Sequence, residues 1–370
     1  MKLVYASTGR YTQGPGVLDD LVGELDYLEL EGSVLIISGP TVQGMLGKRL
    51  TDQFAEAGRG MHYECFNGEC TANEIDRLTT LARADHAGIL MGAGGGKVLD
   101  TARAVAAALG RPFVSCPTLA STDSPCSALA IVYDEQGIYQ GFRSFGRNPA
   151  LTIVDTSIIL GSPDRYFIAG MGDGLSTFYE ARACIKGNRV NFRGGHATIA
   201  ATQIAEACCR TVLTDGRQAL ADKRAGTASP AFERVVEANT LLSGIGFESI
   251  GIAAAHGLHN AMTIAPATHS YLHGEKVSFG TMMLLVLEQD PNSEYEDAAR
   301  FSADVGLPIT LAEVGLDSSD TTTLQAIAER AVRPDEVTNN EPFPVTAGAV
   351  LEAMLEADRR GRLILEAQPA

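Results

Sequence analysis

The 370-residue sequence has no tryptophan, and phenylalanine and tyrosine together bring its aromatics to only 6%. No run of about 18 apolar residues occurs, so no helical membrane span is expected. The N-terminus, Met1-Lys2-Leu3-Val4-Tyr5, lacks the long apolar stretch of a signal peptide, and a cytoplasmic location is expected. The seven cysteines never take a Cys-x-x-Cys spacing, and Cys208 and Cys209 are adjacent. That pattern suits free thiols in a reducing cytosol better than disulfides or a zinc knuckle. Basic residues are few: 29 Lys and Arg against 45 Asp and Glu leave a net charge of −16. Such a surface repels nucleic acid and anionic membrane, so neither is expected as a partner. With 45% hydrophobic and 20% charged residues, the composition is globular and excludes a disordered chain, a coiled coil and a collagen. At about 150 residues per domain, the length suggests two domains sharing a cleft.

Glycine, in contrast, is plentiful at 39 residues, and strand and helix signals alternate over the first 160 positions. Val34-Leu35-Ile36-Ile37 is a short apolar strand, followed by Gly39-Pro40 and a helix through Leu50 and Phe54. A strand around His62 to Phe66 precedes Thr71 and Glu74, which predict a capping box before Ile75, Leu78 and Leu81. Gly88 to Met91 is a strand running into a glycine cluster, followed by a helix through Val98, Ala102, Val105 and Leu109. Phe113-Val114, Ala130 to Val132 and Leu151 to Val154 complete the set. Alternation at this spacing predicts βαβ units and a mostly parallel sheet. Ser162-Pro163-Asp164 reads as a helix start with a capping serine and a proline at the first helical position. Beyond it, alanine and leucine recur every three or four residues, as in Ile199 to Cys209 and Phe232 to Leu242, and strand signals nearly vanish. Leu241 to Met262 reads as a core helix pair, and 226–230 as a loop. The expected organisation is an α/β domain over 1–161 and an all-helical domain over 162–370.

Gly92-Ala93-Gly94-Gly95-Gly96-Lys97 follows a strand and opens a helix. Neither the GxGxxG fingerprint nor the P-loop pattern fits, but the physics is shared. Glycines let backbone approach closely, and the amides at a helix start point at an anion such as a pyrophosphate. A tight turn alone is the alternative, but four glycines in five positions exceed what a turn needs. Lys97 would add charge, and Asp100, a helical turn on, would orient polar groups. A second polar loop, Cys116 to Pro125, follows the next strand and should face the same carboxyl edge of the sheet. Thr118, Ser121 and Thr122 are candidates for ribose, phosphate or amide contacts, and Asp123 for substrate. Any one of these hydroxyls taken alone reads as loop capping.

Three segments of the helical half carry polar groups in apolar company: Gly170 to Gly174 around Asp173, Ala253 to His259, and His269 to Glu275. One aspartate and two histidines with an open fourth position form a catalytic zinc pattern, which also suits iron. A lone histidine on an apolar helix is more often a satisfied core residue. Here four of the seven histidines lie between 256 and 273, and that concentration favours a metal. His256 and His259 share a helix face, as do His269 and His273, so the pattern leaves the choice within each pair open.

The ordered segments GAGGGKVLDTARAVA at 92–106, CPTLASTDSPCSALAIVYD at 116–134, GMGDGLSTFYEARAC at 170–184, EANTLLSGIGFESIGIAAAHGLHNAM at 237–262 and HGEKVSFGT at 273–281 cover most of the chain. In them the sequence resembles the iron-type, metal-dependent alcohol dehydrogenase superfamily, and in the GGGK and ASTDSP stretches its glycerol dehydrogenase branch. The last 40 residues match poorly. The resemblance implies a dinucleotide-binding domain, a helical domain of the dehydroquinate synthase-like architecture, and a site between them. It implies zinc, or iron, on Asp173, His256 and His273. His259 and His269 would then lie near the site without ligating. It implies NAD contacts from Gly94, Gly95, Gly96, Lys97, Thr118 and Ser121, with Ser127, Leu129 and Tyr133 on the nicotinamide side and Asp123 on a substrate hydroxyl. The implied reaction is oxidation of glycerol, a vicinal diol, to dihydroxyacetone by hydride transfer from a metal-bound alkoxide to the nicotinamide. Family members assemble from dimers to octamers, so a homo-oligomer is expected.

Glycerol-1-phosphate dehydrogenase and dehydroquinate synthase use similar sites, but their substrates carry a phosphate. Between Gly244 and Leu285 the only basic side chain besides histidine is Lys276, and 171–181 has none, which fits a neutral polyol better. A dinucleotide sensor with a structural metal is a further reading; such sites are usually closed by a fourth protein ligand, which is not evident here. At the end of the first strand, where NAD-preferring relatives often carry an aspartate near the adenosine ribose, this chain has Gly39. NAD is expected as the main cofactor, with NADP tolerated.

Overall fold

The structure, a computed structural model, describes residues 1–289 and 294–367. Two compact units divide the chain: an α/β unit of Ala6–Pro163 with Gly226–Ala228, and a helical unit of Met1–Tyr5, Asp164–Ala225 and Ser229 onward.

The α/β unit holds β1 (Tyr11–Gly14), β2 (Val34–Ser38), β3 (Met61–Cys65), β4 (Ile89–Gly94), β5 (Phe113–Pro117), β6 (Leu129–Tyr133), β7 (Tyr139–Ser144) and β8 (Leu151–Asp155). Its helices are α1 (Leu21–Tyr27), α2 (Pro40–Glu56), α3 (Ala72–Asp85), α4 (Gly96–Leu109) and α5 (Thr156–Gly161). Six strands form one parallel sheet in the order β1-β8-β5-β4-β2-β3. The inner strands β2, β4, β5 and β8 are buried along their whole length. That is why they read as unbroken apolar runs: helices cover both faces of a parallel sheet. Side chains alternate, Leu35 and Ile37 packing with α3 and α4, and Val34 and Ile36 with α1 and α2. The strand order reverses between β2 and β4, and the pairing of Ser38 with Ala93 and of Gly94 with Pro117 aligns their carboxyl ends. Gly39, the glycine loop and Thr118 therefore share one edge, at the switch point where open α/β sheets bind ligands.

Three local expectations are corrected. The segment around Ala130–Val132 is not part of the parallel sheet; β6 pairs antiparallel with β7 in a separate hairpin. Its turn is closed by Asp134, whose Oδ1 accepts from the amides of Gln136 and Ile138, and by Gly137 at φ 79°. The capping box is only half formed. Thr71 accepts from the Glu74 amide, but the Glu74 carboxylate is taken by Asn67 and Arg77. Ala82, not Leu81, completes the buried face of α3, and Leu81 is 36% exposed. A helix does begin at Asp164, just after Ser162 and Pro163, and the Ser162 hydroxyl donates to the Ile159 carbonyl at the end of α5.

The helical unit contains α6 (Asp164–Lys186), α7 (Ile199–Arg224), α8 (Pro230–Glu237), α9 (Ser243–Ile250), α10 (Ala254–Met262), α11 (His273–Leu287), α12 (Glu294–Val305), α13 (Thr321–Ala331) and α14 (Ala347–Glu366). The predicted helix through Phe232–Leu242 is interrupted by a π-turn at Ala238–Leu242 that joins α8 to α9. Wide turns of this kind are rare and have no simple periodicity to announce them. Gly251, at φ 133°, breaks the apolar stretch into α9 and α10. Among the described residues no single helix is long and apolar enough to cross a membrane; the pair Pro230–Ile250 and Ala254–Met262 reaches that length only across a 101° bend.

Candidate metal centre and dinucleotide loop

In the α/β unit, β4 runs directly into Gly95 and Gly96 at the start of α4. The Thr118 amide donates to the Gly94 carbonyl at 3.0 Å, so the second loop is anchored on the first. A Cβ on Gly96 would sit 2.9 Å from Thr122 Oγ1, and one on Gly95 would sit 3.3 Å from Leu119. The two loops therefore cross closely, and a side chain on Gly95 or Gly96 would press on Leu119 or Thr122. Thr118 and Ser121 are buried, and Asp123 is half-buried at the start of the Ser124–Cys126 turn. The Ser127 hydroxyl donates to the Ser124 carbonyl and accepts from the Leu129 amide. Lys97 pairs with Glu69 at 2.5 Å and lies 5.7 Å from the centre of the Tyr133 ring. Asp100 does not face the edge. It is buried, takes Arg103 at 2.7 Å and Ser124 Oγ at 2.6 Å on one oxygen, and the Ile131 amide at 2.9 Å on the other. Arg103 also donates to the Leu129 carbonyl. This buried pair fastens α4 to the loop and hairpin that carry Ser127, Leu129 and Tyr133.

In the helical unit, small residues bring three helices into contact. A Cβ on Gly274 would overlap the Ala169 carbonyl, and one on Gly280 would overlap that of Ala255. Backbone therefore meets backbone between α6 and α11 and between α11 and α10. Asp173 of α6, His256 of α10 and His273 of α11 converge as a result. Asp173 Oδ1 lies 3.3 Å from His256 Nε2 and 3.3 Å from His273 Nε2, and one ligand atom from each residue lies within 4.8 Å of the others. Two ligands about 2.1 Å from an ion at a tetrahedral angle are about 3.4 Å apart, so the spacing fits a zinc-sized ion. Asp173 is buried, His256 is nearly so, and His273 is 23% exposed at its side chain.

His256 is held from behind. Its Nδ1 lies 2.6 Å from Glu180 Oε2, while Glu180 Oε1 accepts from the amides of Ala253 and His256 at 2.9 Å each. Burial pulls the His256 imidazole down, and Glu180 with Asp173 overturn this and hold it well above its usual range. Burial likewise pushes the Asp173 carboxyl up, and His273 and His256 bring it well below the usual carboxylate range. The pocket is electrostatically built for positive charge. With Nδ1–H given to Glu180, Nε2 is the nitrogen that His256 turns to the Asp173 oxygen, and a cation bound there would take the place of its proton. A carboxylate and two such nitrogens are the donor set that fits zinc or iron.

Residues 8–156 match the iron-containing alcohol dehydrogenase family. Over 367 residues, 99% of each chain, the sequence is 42% identical to a glycerol dehydrogenase of Escherichia coli O6:H1. It is 39% identical over 364 residues to a glycolaldehyde reductase of Halobacterium salinarum, covering 98% of this chain and 99% of that protein. The structure superposes on the crystal structure of a glycerol dehydrogenase from Schizosaccharomyces pombe with a TM-score of 0.92 at 34% identity, covering 99% of this chain and 92% of that one. The chain belongs to the iron-containing alcohol dehydrogenase family.

It is accordingly an oxidoreductase acting on alcohols. The histidines that helical spacing alone does not rank separate by their contacts: His259 Nε2 touches His273 Nδ1 at 3.1 Å, whereas His269 Nε2 lies 2.8 Å from the Thr263 carbonyl. Burial and the neighbouring His273 drive the His259 imidazole well below its usual range, which keeps it neutral. Sequence reasoning missed Glu180, Glu69, Glu336 and Glu341. Only Glu180 left a signal: it stands seven residues after Asp173, two turns along one helix face. All seven cysteines are free.

Proposed function

We propose that the protein oxidises glycerol, or a closely related small vicinal diol, to the hydroxyketone, with NAD as hydride acceptor. The carrying observation is the convergence of Asp173 and His256, both buried, with the partly exposed His273, the rear nitrogen of His256 being held by a carboxylate. These three residues would hold the metal, zinc in this reading, which when bound supplies Lewis-acid polarisation of an alcohol oxygen. NAD, when bound, supplies the two-electron acceptor. The chain's own residues do the rest. The amides at the start of α4 bind the pyrophosphate, and Thr118 and Ser121 take ribose or phosphate contacts. Ser127, Leu129 and Tyr133, fixed by Asp100 and Arg103, border the nicotinamide. Asp123 accepts a bond from a second hydroxyl and so selects a diol over a monoalcohol.

A neutral substrate is supported by charge: Lys276 is buried, and no other lysine or arginine lies between Gly244 and Leu285. The second reading, reduction of a small hydroxyaldehyde, is the same hydride chemistry in reverse, and the 39% identity to a glycolaldehyde reductase favours it. The test is turnover of glycerol, glycerol phosphate and glycolaldehyde by zinc-loaded and metal-stripped protein. Zinc-dependent NAD reduction with glycerol is the expected result. Turnover confined to the phosphate, or undiminished in the stripped protein, overturns the proposal.

A further inference from the structure

We infer that Arg330, Glu336, Asn260 and His259 are positioning residues that decide which nitrogen of His273 is left bare; the inference rests on the metal reading above. A chain of contacts runs inward from α13. Arg330 pairs with Glu336 Oε1. Glu336 Oε2 lies 3.2 Å from Asn260 Nδ2, Asn260 Oδ1 lies 3.2 Å from His259 Nδ1, and His259 Nε2 lies 3.1 Å from His273 Nδ1. His273 Nε2 then stands 3.3 Å from Asp173 Oδ1. Glu336, Asn260 and His259 are all buried, so bulk water offers them few alternatives.

The direction of every hydrogen bond follows from the outer end. A guanidinium only donates, and the carboxylate paired with it only accepts. Asn260 must therefore give its amide NH₂ to Glu336, which turns its carbonyl oxygen to His259. His259 must donate through Nδ1, so its Nε2 accepts. His273 must donate through Nδ1, which leaves Nε2, the nitrogen beside Asp173, as the one a metal would take. The rear hydrogen bond of a ligating imidazole sets its tautomer and ring orientation. His256 reaches the same tautomer through one carboxylate, Glu180, in direct contact. His273 reaches it through three residues.

Glu336→Gln should reverse the chain without changing its shape. The glutamine carbonyl stays on Arg330 and its NH₂ faces Asn260. Asn260 turns over, His259 then accepts at Nδ1 and donates from Nε2, and the proton of His273 moves to the nitrogen that would bind metal. In the full-length, metal-stripped wild type with ¹⁵N-labelled histidine, the imidazole shifts should show His259 protonated at Nδ1 with Nε2 bare and His273 carrying a proton on Nδ1, whether or not Nε2 shares another with Asp173; a His273 protonated at Nε2 alone overturns the inference. Zinc affinity, read by competition with a chromogenic chelator, should fall about 10- to 100-fold in Glu336→Gln with the unfolding midpoint of the stripped protein unchanged. His259→Gln, which keeps an acceptor toward His273, should hold zinc more tightly than His259→Leu. Equal zinc affinity in Glu336→Gln and wild type refutes the inference. Should that variant fail to fold, the wild-type tautomer decides alone. A wild type that takes up no zinc refutes the metal reading instead, and the tautomer again decides the inference.

Discussion

Replacing Gly39 with aspartate probes how the α/β unit chooses its dinucleotide. Gly39 follows β2 and is the N-cap of α2 at φ −76° and ψ 163°, extended backbone that any residue adopts. A Cβ built there meets no heavy atom within 4 Å, so the new side chain enters without strain. Its carboxylate has two uses. As an N-cap it stabilises α2 by only about a few tenths of a kcal/mol over glycine. Beside an adenosine ribose it accepts from the 2′-OH, a charged hydrogen bond of about 1.5–3 kcal/mol, or about ten- to a hundredfold in affinity. The same charge repels a 2′-phosphate. The wild type lacks that discrimination, but it offers little positive charge in compensation: Lys48 is tied to Asp52, and Arg49 to Asp19 and Asp155. The wild type should therefore prefer NAD and retain measurable activity with NADP. Gly39→Asp should raise the NAD-to-NADP ratio of kcat/KM by about ten- to a hundredfold and leave the fold intact. The assay is kcat/KM for both cofactors in both proteins at saturating polyol. A wild type that already rejects NADP by more than about a thousandfold, about 4 kcal/mol, removes Gly39 as the discriminating position.

His256→Ala and His273→Ala should each lose bound metal and turnover, because three ligands become two, whereas His269→Ala, whose ring contacts the Thr263 carbonyl, should be mild; metal analysis beside turnover checks this, and a fully active, metal-loaded His256→Ala or His273→Ala would show the ligand assignment to be wrong. Gly274→Ala forces a methyl group into the Ala169 carbonyl and should cost about 1–3 kcal/mol of stability, read by denaturant unfolding, while loosening zinc by parting α6 from α11. Burial pushes the Glu341 carboxyl up to about 8, so the folded chain holds a proton there that the unfolded chain releases. Stability from this group is present below its unfolded value, is lost as pH rises to about 8, and Glu341→Gln should remove that loss, gaining on the order of a few kcal/mol at pH 8 and little at pH 5. Chemical unfolding at the two pH values checks it, and an equal effect at both rules it out. The protein should be a homo-oligomer; light scattering that finds a monomer at micromolar concentration refutes that.

How much of the fold and the site is legible in the sequence depends on whether the cause is local. Val34–Ile37 and Ile89–Met91 announce themselves because both sheet faces are covered, and strands buried on both sides need apolar residues at every position. Ala130–Val132 carries the same apolar signal yet pairs with the polar strand Tyr139–Ser144, because a turn at Asp134–Gly137 closes a hairpin that the apolar run itself does not reveal. The glycine loop is legible for a local reason as well: Thr122 and Leu119 cross it so closely that a side chain there would crowd them. The histidines are not. A spacing of three keeps two rings on one helix face, so periodicity cannot rank His256 above His259; the expected shared face of His269 and His273 is not formed, because His269 ends the turn Pro266–Thr268 and α11 begins only at His273. What separates them lies elsewhere in the chain. Glu180, 76 positions from His256, takes one ring's rear nitrogen, and Glu336, 76 positions from Asn260, orients the neighbour of the other. A site whose chemistry depends on which nitrogen is bare is thus specified by buried carboxylates that resemble ordinary helix residues in the sequence. Their role becomes visible only when each donor is followed to its acceptor.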